Sequence, residues 1–345
     1  MLLVILGAGS SYDSVPSYPP SESADLPDRP PLADSLFENR PIFREAMRVF
    51  PAIQPIVPLL QRRHGRSLEQ QLQLLASEAA DHPARPQQLM AVRYYIQYIL
   101  RRTEDPWLRE VAGHVTNFKS MLDEIDRCVP KGHSVPIVSF NYDRLVEEAL
   151  RSRGVSIATL DEYVADGRFK LFKVHGSIDW VRRTGIKVTE VANPANQWGA
   201  MAAVTERAAS LTLAKEISIA TEYPSGMLDD ELVAPALAIP LEDKTEFECP
   251  EAHLSLLSDL LREASSILVI GWRATENHFL RLLTSSGPPN RSVFIACGTL
   301  EEGRSTSERL KLAGLEANYE VFAGGFTDLV TKREYTGFLQ SVVCR

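Results

Sequence analysis

A series of short apolar runs constrains this chain more than any other feature. They are "LLVIL" (2–6), "VPIVSF" (135–140), "FKLFKV" (169–174), "VAPALAI" (233–239), "SILVIG" (266–271), "SVFIAC" (292–297) and "YEVFA" (319–323). Each is shorter than a typical helix, and most are apolar at nearly every position. Strands covered on both faces require that character, whereas a strand with one wet face alternates. Helical patterns lie between several of the runs, at 142–154, 250–264, 276–286 and 307–314. Alternation of strand and helix predicts an α/β fold with a mostly parallel sheet.

Two segments interrupt the alternation. Residues 35–130 repeat apolar residues at three- and four-residue spacing, in "LEQQLQLLASEAA", "QQLMAVRYYIQYILRR" and "WLREVAGHVTNFKSMLDEIDRC", and read as an inserted helical module. Residues 180–232 have mixed polarity without a clean period and read as an irregular insertion. The prolines at 16–31 forbid a continuous helix between the first strand and the helical module. The whole of 1–345 is expected to form a single domain around these insertions, with 44% hydrophobic residues to fill its core.

Charge and cysteine usage remove several function classes. A formal net charge of -8 gives no global attraction to nucleic acid or to an anionic membrane, so direct nucleic-acid binding is not expected. One local basic cluster, Arg62, Arg63, His64 and Arg66, reads as a solvated turn. Cys128, Cys249, Cys297 and Cys344 never form a C-x-x-C pair, so no zinc ribbon or disulfide framework is expected, in keeping with a reducing cytoplasm. The scattered histidines, His64, His82, His114, His133, His253 and His278, lack ligand spacing and read as surface or cap residues. No apolar run approaches the roughly twenty residues that span a bilayer.

"VILGAGSSYD" places Gly7 and Gly9 directly after a buried strand. Glycines there allow a tight turn and a close approach to a pyrophosphate, with N–H groups left to donate; plain turns from strand to helix use them as well. The third glycine of the dinucleotide fingerprint is replaced by Tyr12. Asp25 and Asp28 lie in the proline-rich loop rather than at the end of a second strand. An ordinary dehydrogenase is therefore disfavoured.

In open α/β sheets, ligands sit beyond the carboxyl ends of the strands. Those ends carry Gly7, Ala8, Gly9 and Ser10; Asn141, Tyr142 and Asp143; His175 and Gly176; and Gly271, Trp272 and Arg273. Each has an ordinary structural reading. Asn141 suits a helix N-cap, Asp143 and Glu276 suit first-turn charges, Gly271 suits a turn, and His175 suits a packed histidine.

Taken together, "GAGSS" (7–11), "PPLADSLF" (30–37), "SFNYD" (139–143), "KVHGS" (173–177), "IPL" before Lys244, and "IGWRATENHF" (270–279) resemble the sirtuin-like superfamily. The resemblance is closer to its zinc-less, NAD-hydrolysing branch associated with bacterial defence than to the protein deacylases. The four-cysteine zinc module of the deacylases is missing, and Gly271-Trp272-Arg273 stands where they have a Gly-Thr-Ser type of turn.

The resemblance implies a Rossmann-like domain with a helical insertion and NAD as substrate, without zinc. It assigns catalysis to Asn141 and His175. NAD contacts fall to Gly7, Ala8, Gly9, Ser10, Tyr142, Asp143, Gly176, Gly271, Trp272, Arg273 and Glu276. The implied reaction is cleavage of NAD to nicotinamide and ADP-ribose by a cytoplasmic antiviral effector. Its triggers would be a protein partner, an ATPase or an Argonaute-like protein, or assembly into a homo-oligomer. A deacylase, an ADP-ribosyltransferase and a non-catalytic NAD- or ADP-ribose-binding subunit are the alternatives.

Overall fold

The computed structural model describes residues 1–14, 29–62, 68–111, 116–191, 196–220, 222–238, 247–285 and 287–342. Its first five strands are β1 (Leu2–Leu6), β2 (Val135–Ser139), β3 (Phe169–Lys173), β4 (Gly176–Lys187) and β5 (Ile217–Ile219). The others are β6 (Met227–Leu228), β7 (Glu231–Leu237), β8 (Ser266–Ile270), β9 (Arg291–Cys297) and β10 (Ala317–Ala323). The helices before β2 are α1 (Ala8–Tyr12), α2 (Pro41–Val49), α3 (Val57–Arg62), α4 (Leu68–Ser77), α5 (Arg85–Val111) and α6 (Asn117–Cys128). Those up to β8 are α7 (Leu145–Arg151), α8 (Leu160–Tyr163), α9 (Gln197–Arg207) and α10 (Glu251–Leu261). The last are α11 (Asn277–Thr284), α12 (Leu300–Leu312), α13 (Gly325–Lys332) and α14 (Thr336–Ser341).

The chain divides into two compact units. The first comprises Met1–Ala24, Pro106–Val174 and Cys249–Arg345, and the second Asp25–Asp105 and His175–Glu248. The helical stretch expected as one module, 35–130, is thus shared out. Residues up to Asp105 belong to the second unit, while Pro106 onward, including α6, belongs to the first.

The first unit is a Rossmann-like α/β layer. Its six strands run in the order β10-β9-β8-β1-β2-β3, every neighbouring pair parallel. By chain order within this sheet, the first strand sits between the second and the fourth, so the winding reverses between β1 and β8. β1, β2, β3 and β8 are buried at every position, as the apolar runs require. Helix ends follow local chemistry: Thr116 Oγ1 accepts from Lys119 N at 3.2 Å to start α6, and Thr299 and Glu302 form a capping box at α12.

The second unit packs helices against an antiparallel four-stranded sheet, β5-β4-β7-β6. Here the structure departs from the sequence reading. The run at 233–239 enters this antiparallel sheet as β7, not the parallel one. Residues 180–232 hold most of β4, all of α9, β5 and β6, and the start of β7, so they are not irregular. Register shifts between Gly176 and Val181 and between Arg183 and Lys187 break the two-residue period that would have revealed the long strand. From α5, Arg93, Tyr94 and Gln97 donate to the carbonyls of Pro235, Val233 and Ile178 at 3.1, 2.5 and 2.8 Å. No helix among the described residues is long and apolar enough to cross a membrane.

Candidate functional site at the sheet switch point

In the first unit, the loops after β1 and β8 meet at the backbone. Gly7 N donates to Ile270 O (3.0 Å) and Gly9 N to Gly271 O (3.1 Å). A Cβ on Gly7 would lie 2.5 Å from both Gly271 O and Trp272 Cα, closer than any side chain tolerates. Gly271 itself has φ +63° and faces Gly9 and Ser10. These glycines interlock two loops. The expectation that the loop N–H groups are left to hold a pyrophosphate is corrected for three of four, because Ser10 N also bonds, to Gly7 O at 2.9 Å. Ala8 N has no acceptor among the described residues.

Asn141 reaches this loop from the end of β2. It is 5% exposed, and its Nδ2 donates to Ser10 Oγ at 3.0 Å and Ser11 Oγ at 2.8 Å. The Ser10 hydroxyl proton is spent on Gly7 O at 2.8 Å, so its oxygen must accept from Asn141. That settles which end of the amide is the nitrogen. The remaining atom, Asn141 Oδ1, is buried without a hydrogen-bond donor among the described residues. A buried carbonyl without a donor costs about 1–3 kcal/mol, so such an atom calls for an explanation. The N-cap reading of Asn141 is excluded, since α7 begins at Leu145 and Asp143 Oδ1 accepts from Leu145 N at 3.1 Å.

The residues after β8 are mainly structural. Trp272 is 4% exposed and stacks on Phe140, with centroids 5.1 Å apart and planes 11° apart, while Phe279 meets both rings edge-on. Its indole Nε1 donates to Glu276 Oε2 at 2.7 Å. Trp272 and Glu276 therefore close the packing beneath the loop. Arg273 is exposed, and its carbonyl accepts from Arg309. Ala274 has φ +53° while almost fully buried, a left-handed conformation unusual for a residue other than glycine.

His175 and Gly176 belong to the second unit, where His175 is half-buried and its carbonyl accepts from Ala238 N at 3.0 Å. Gly176 has φ +81°, and any Cβ there would collide with Ala236 O of β7. The glycine after the histidine is thus imposed by the β4–β7 pairing. Val174, the last residue of the first unit, donates from its N to Ser139 O at 3.2 Å.

Three contributors escaped sequence reasoning. Ser11 shares the Asn141 amide with Ser10. Lys173 and Glu147 form a fully buried ion pair behind the Asn141 loop. A lysine in a strand covered on both faces is the signal that a buried acid must accompany it. His253, expected at the surface, is 2% exposed. Its Nε2 pairs with Leu160 O at 2.9 Å, and burial holds its pKa below the ordinary value. His82 and His133 are exposed and His278 is half-buried. Arg63, His64, Arg66, His114, Asp25, Asp28, Cys344 and the "IPL" with Lys244 lie outside the described residues. Among the described residues, no group of three His, Cys, Asp or Glu is placed to hold a metal ion, and Cys128, Cys249 and Cys297 form no disulfide.

Residues 136–210 match the family model of the SIR2-like domain. The matched segment runs from β2 to beyond α9 and contains Asn141, Lys173 and His175. No curated protein matches the sequence. Solved structures similar to this chain include a Sir2 homolog–NAD complex, 14% identical, covering 99% of this chain and 90% of that one with a TM-score of 0.40. A Sir2 in complex with an inhibitor, 2′-O-acetyl-ADP-ribose and a deacetylated p53 peptide is 12% identical, with coverage of 98% and 94% and a TM-score of 0.38.

Proposed function

We propose that this protein is an NAD glycohydrolase, hydrolysing NAD to nicotinamide and ADP-ribose. The observation that carries the reading is Asn141: an amide in one fixed orientation at the switch point of a Rossmann-like sheet, with its oxygen buried and without a donor. Such an oxygen accepts from a hydroxyl or a water, and these are the groups that must be oriented when a ribose C1′ is attacked. The SIR2-like segment, which contains both Asn141 and His175, supports the same assignment.

In the proposed reaction the C1′–N bond breaks and its electron pair stays on the ring nitrogen, so nicotinamide leaves neutral. Positive charge grows on the sugar in the transition state. A preoriented amide dipole with its oxygen toward that charge stabilises it without having to reorganise. A water oxygen forms the new bond to C1′, and its proton passes to His175, an imidazole being the side chain that ordinarily titrates nearest neutrality. Asp143 and Tyr142 are assigned to the ribose side. Ala8 N and the exposed Arg273 guanidinium suit the phosphates by donor character and charge. The interlocked Gly7, Gly9, Ser10 and Gly271, with Trp272 and Glu276, shape the backbone around Asn141.

Unrestrained hydrolysis would exhaust the NAD of any cell. We therefore assign the enzyme to an antiviral effector held inactive until a partner, an ATPase or an Argonaute-like protein, or homo-oligomer assembly releases it. The test is nicotinamide release measured by mass spectrometry, with NAD alone and with NAD plus an acetylated peptide. Release without peptide is expected, and Asn141→Ala or His175→Ala should each lower it at least ~100-fold in folded protein. Undiminished turnover in both variants, or strict dependence on peptide, would overturn the assignment.

A further inference from the structure

Lys173 ends β3, and its side chain is completely buried, as is that of Glu147 on α7 (0% exposed in both). Lys173 Nζ lies 2.7 Å from Glu147 Oε1 and 3.4 Å from Tyr142 O, and it also donates to Asp143 O. An ammonium has three N–H donors. Here all three are directed at residues 142–147, the stretch that begins directly after Asn141. The same β3 residue is paired in register with Ser139, whose Oγ accepts from Asn141 N at 3.2 Å.

A buried ion pair is a poor way to gain stability, because desolvation offsets the attraction and an apolar pair of equal volume often does as well. An apolar pair cannot, however, donate to two loop carbonyls. We infer that Lys173 is a positioning residue for Asn141: its ammonium fixes the Tyr142 and Asp143 backbone, and Glu147 fixes the ammonium. Ser10 and Ser11 hold the amide itself. The part of this inference that concerns turnover rests on the NAD reading; the part that concerns the amide does not.

The experiment uses full-length protein with ¹⁵N-labelled asparagine, with the Asn141 side-chain amide assigned by its disappearance in Asn141→Asp. Asn117 serves as an internal reference, because its Nδ2 bonds to Asp13 O (3.0 Å) and Thr327 Oγ1 (2.9 Å), and neither bond involves Lys173 or Glu147. Lys173→Met should speed hydrogen exchange at the Asn141 amide at least tenfold and leave Asn117 unchanged. If that variant does not fold, the apolar pair Lys173→Met with Glu147→Leu takes its place with the same expectation. Nicotinamide release should fall at least tenfold in kcat, with KM within threefold. Equal acceleration at Asn117 and Asn141, or no change at Asn141, overturns the inference. Wild-type protein that releases no nicotinamide, even with its activator, overturns the NAD reading instead and leaves the amide result to decide the role of Lys173.

Discussion

Replacing Gly271 with alanine tests whether the loops after β1 and β8 truly interlock at the backbone. The residue sits at φ +63°, where a Cβ costs about 1–2 kcal/mol. That Cβ would also lie 2.6 Å from Gly9 C and 2.7 Å from Gly9 Cα, well inside the roughly 3.5 Å of ordinary carbon contact. Both clashing atoms are backbone, so no rotamer relieves the overlap. Parting the loops by most of an ångström sacrifices the Gly9 N–Gly271 O and Gly7 N–Ile270 O bonds, at about 1 kcal/mol each. The expected loss is about 3–4 kcal/mol. Gly154→Ala is the control, because Gly154 has φ +80° with nothing within 4 Å of a built Cβ, so only the backbone penalty applies. Both positions lie in the first unit, and the entropy that Gly→Ala removes from the unfolded chain cancels between them. Urea denaturation followed by fluorescence should place Gly271→Ala about 2 kcal/mol below Gly154→Ala. A difference under about 0.5 kcal/mol would refute the interlock.

Two further substitutions probe packing elsewhere in the first unit. Trp272→Phe keeps the stack on Phe140 but removes the Nε1–Glu276 bond; urea melts should show a loss of about 1.5–3 kcal/mol, as for hydrogen bonds to charged groups. Burial lowers the His253 pKa against smaller raising effects from Leu160 O and Asp161, so the unfolded chain takes up this proton first as pH falls. Its stabilising contribution is complete above the ordinary pKa of about 6.5 and is lost as pH drops from there toward the folded value. His253→Phe should flatten the stability curve between pH 7 and 5, and an unchanged slope in urea melts across that range would disprove the assignment.

Much of the parallel sheet was legible in the sequence because the runs at 2–6, 135–140, 169–174 and 266–271 are covered on both faces, a condition that leaves a local trace. The placement of Gly7, Asn141 and Gly271 just beyond strand C-termini followed from the same runs, whereas the strand order that makes the β1–β8 boundary a switch point did not. The role of the glycines did not follow. Whether a glycine N–H faces a ligand or a neighbouring loop depends on which loop lies opposite. The same limit hid the burial of Lys173 against Glu147 and the antiparallel placement of β7, whose apolar run suits either sheet.

By itself, then, the amino-acid order determined the strands of the parallel sheet and which side chains stand at their ends, because spacing and backbone preference act over a few residues. Only the tertiary structure decided that Gly271 faces Gly9, that Asn141 is turned by Ser10 and Ser11, and that Lys173 is buried against Glu147. Those outcomes depend on segments more than twenty residues apart meeting in one place. Partner choice of that kind is set by the packing of the whole unit, and no local pattern encodes it.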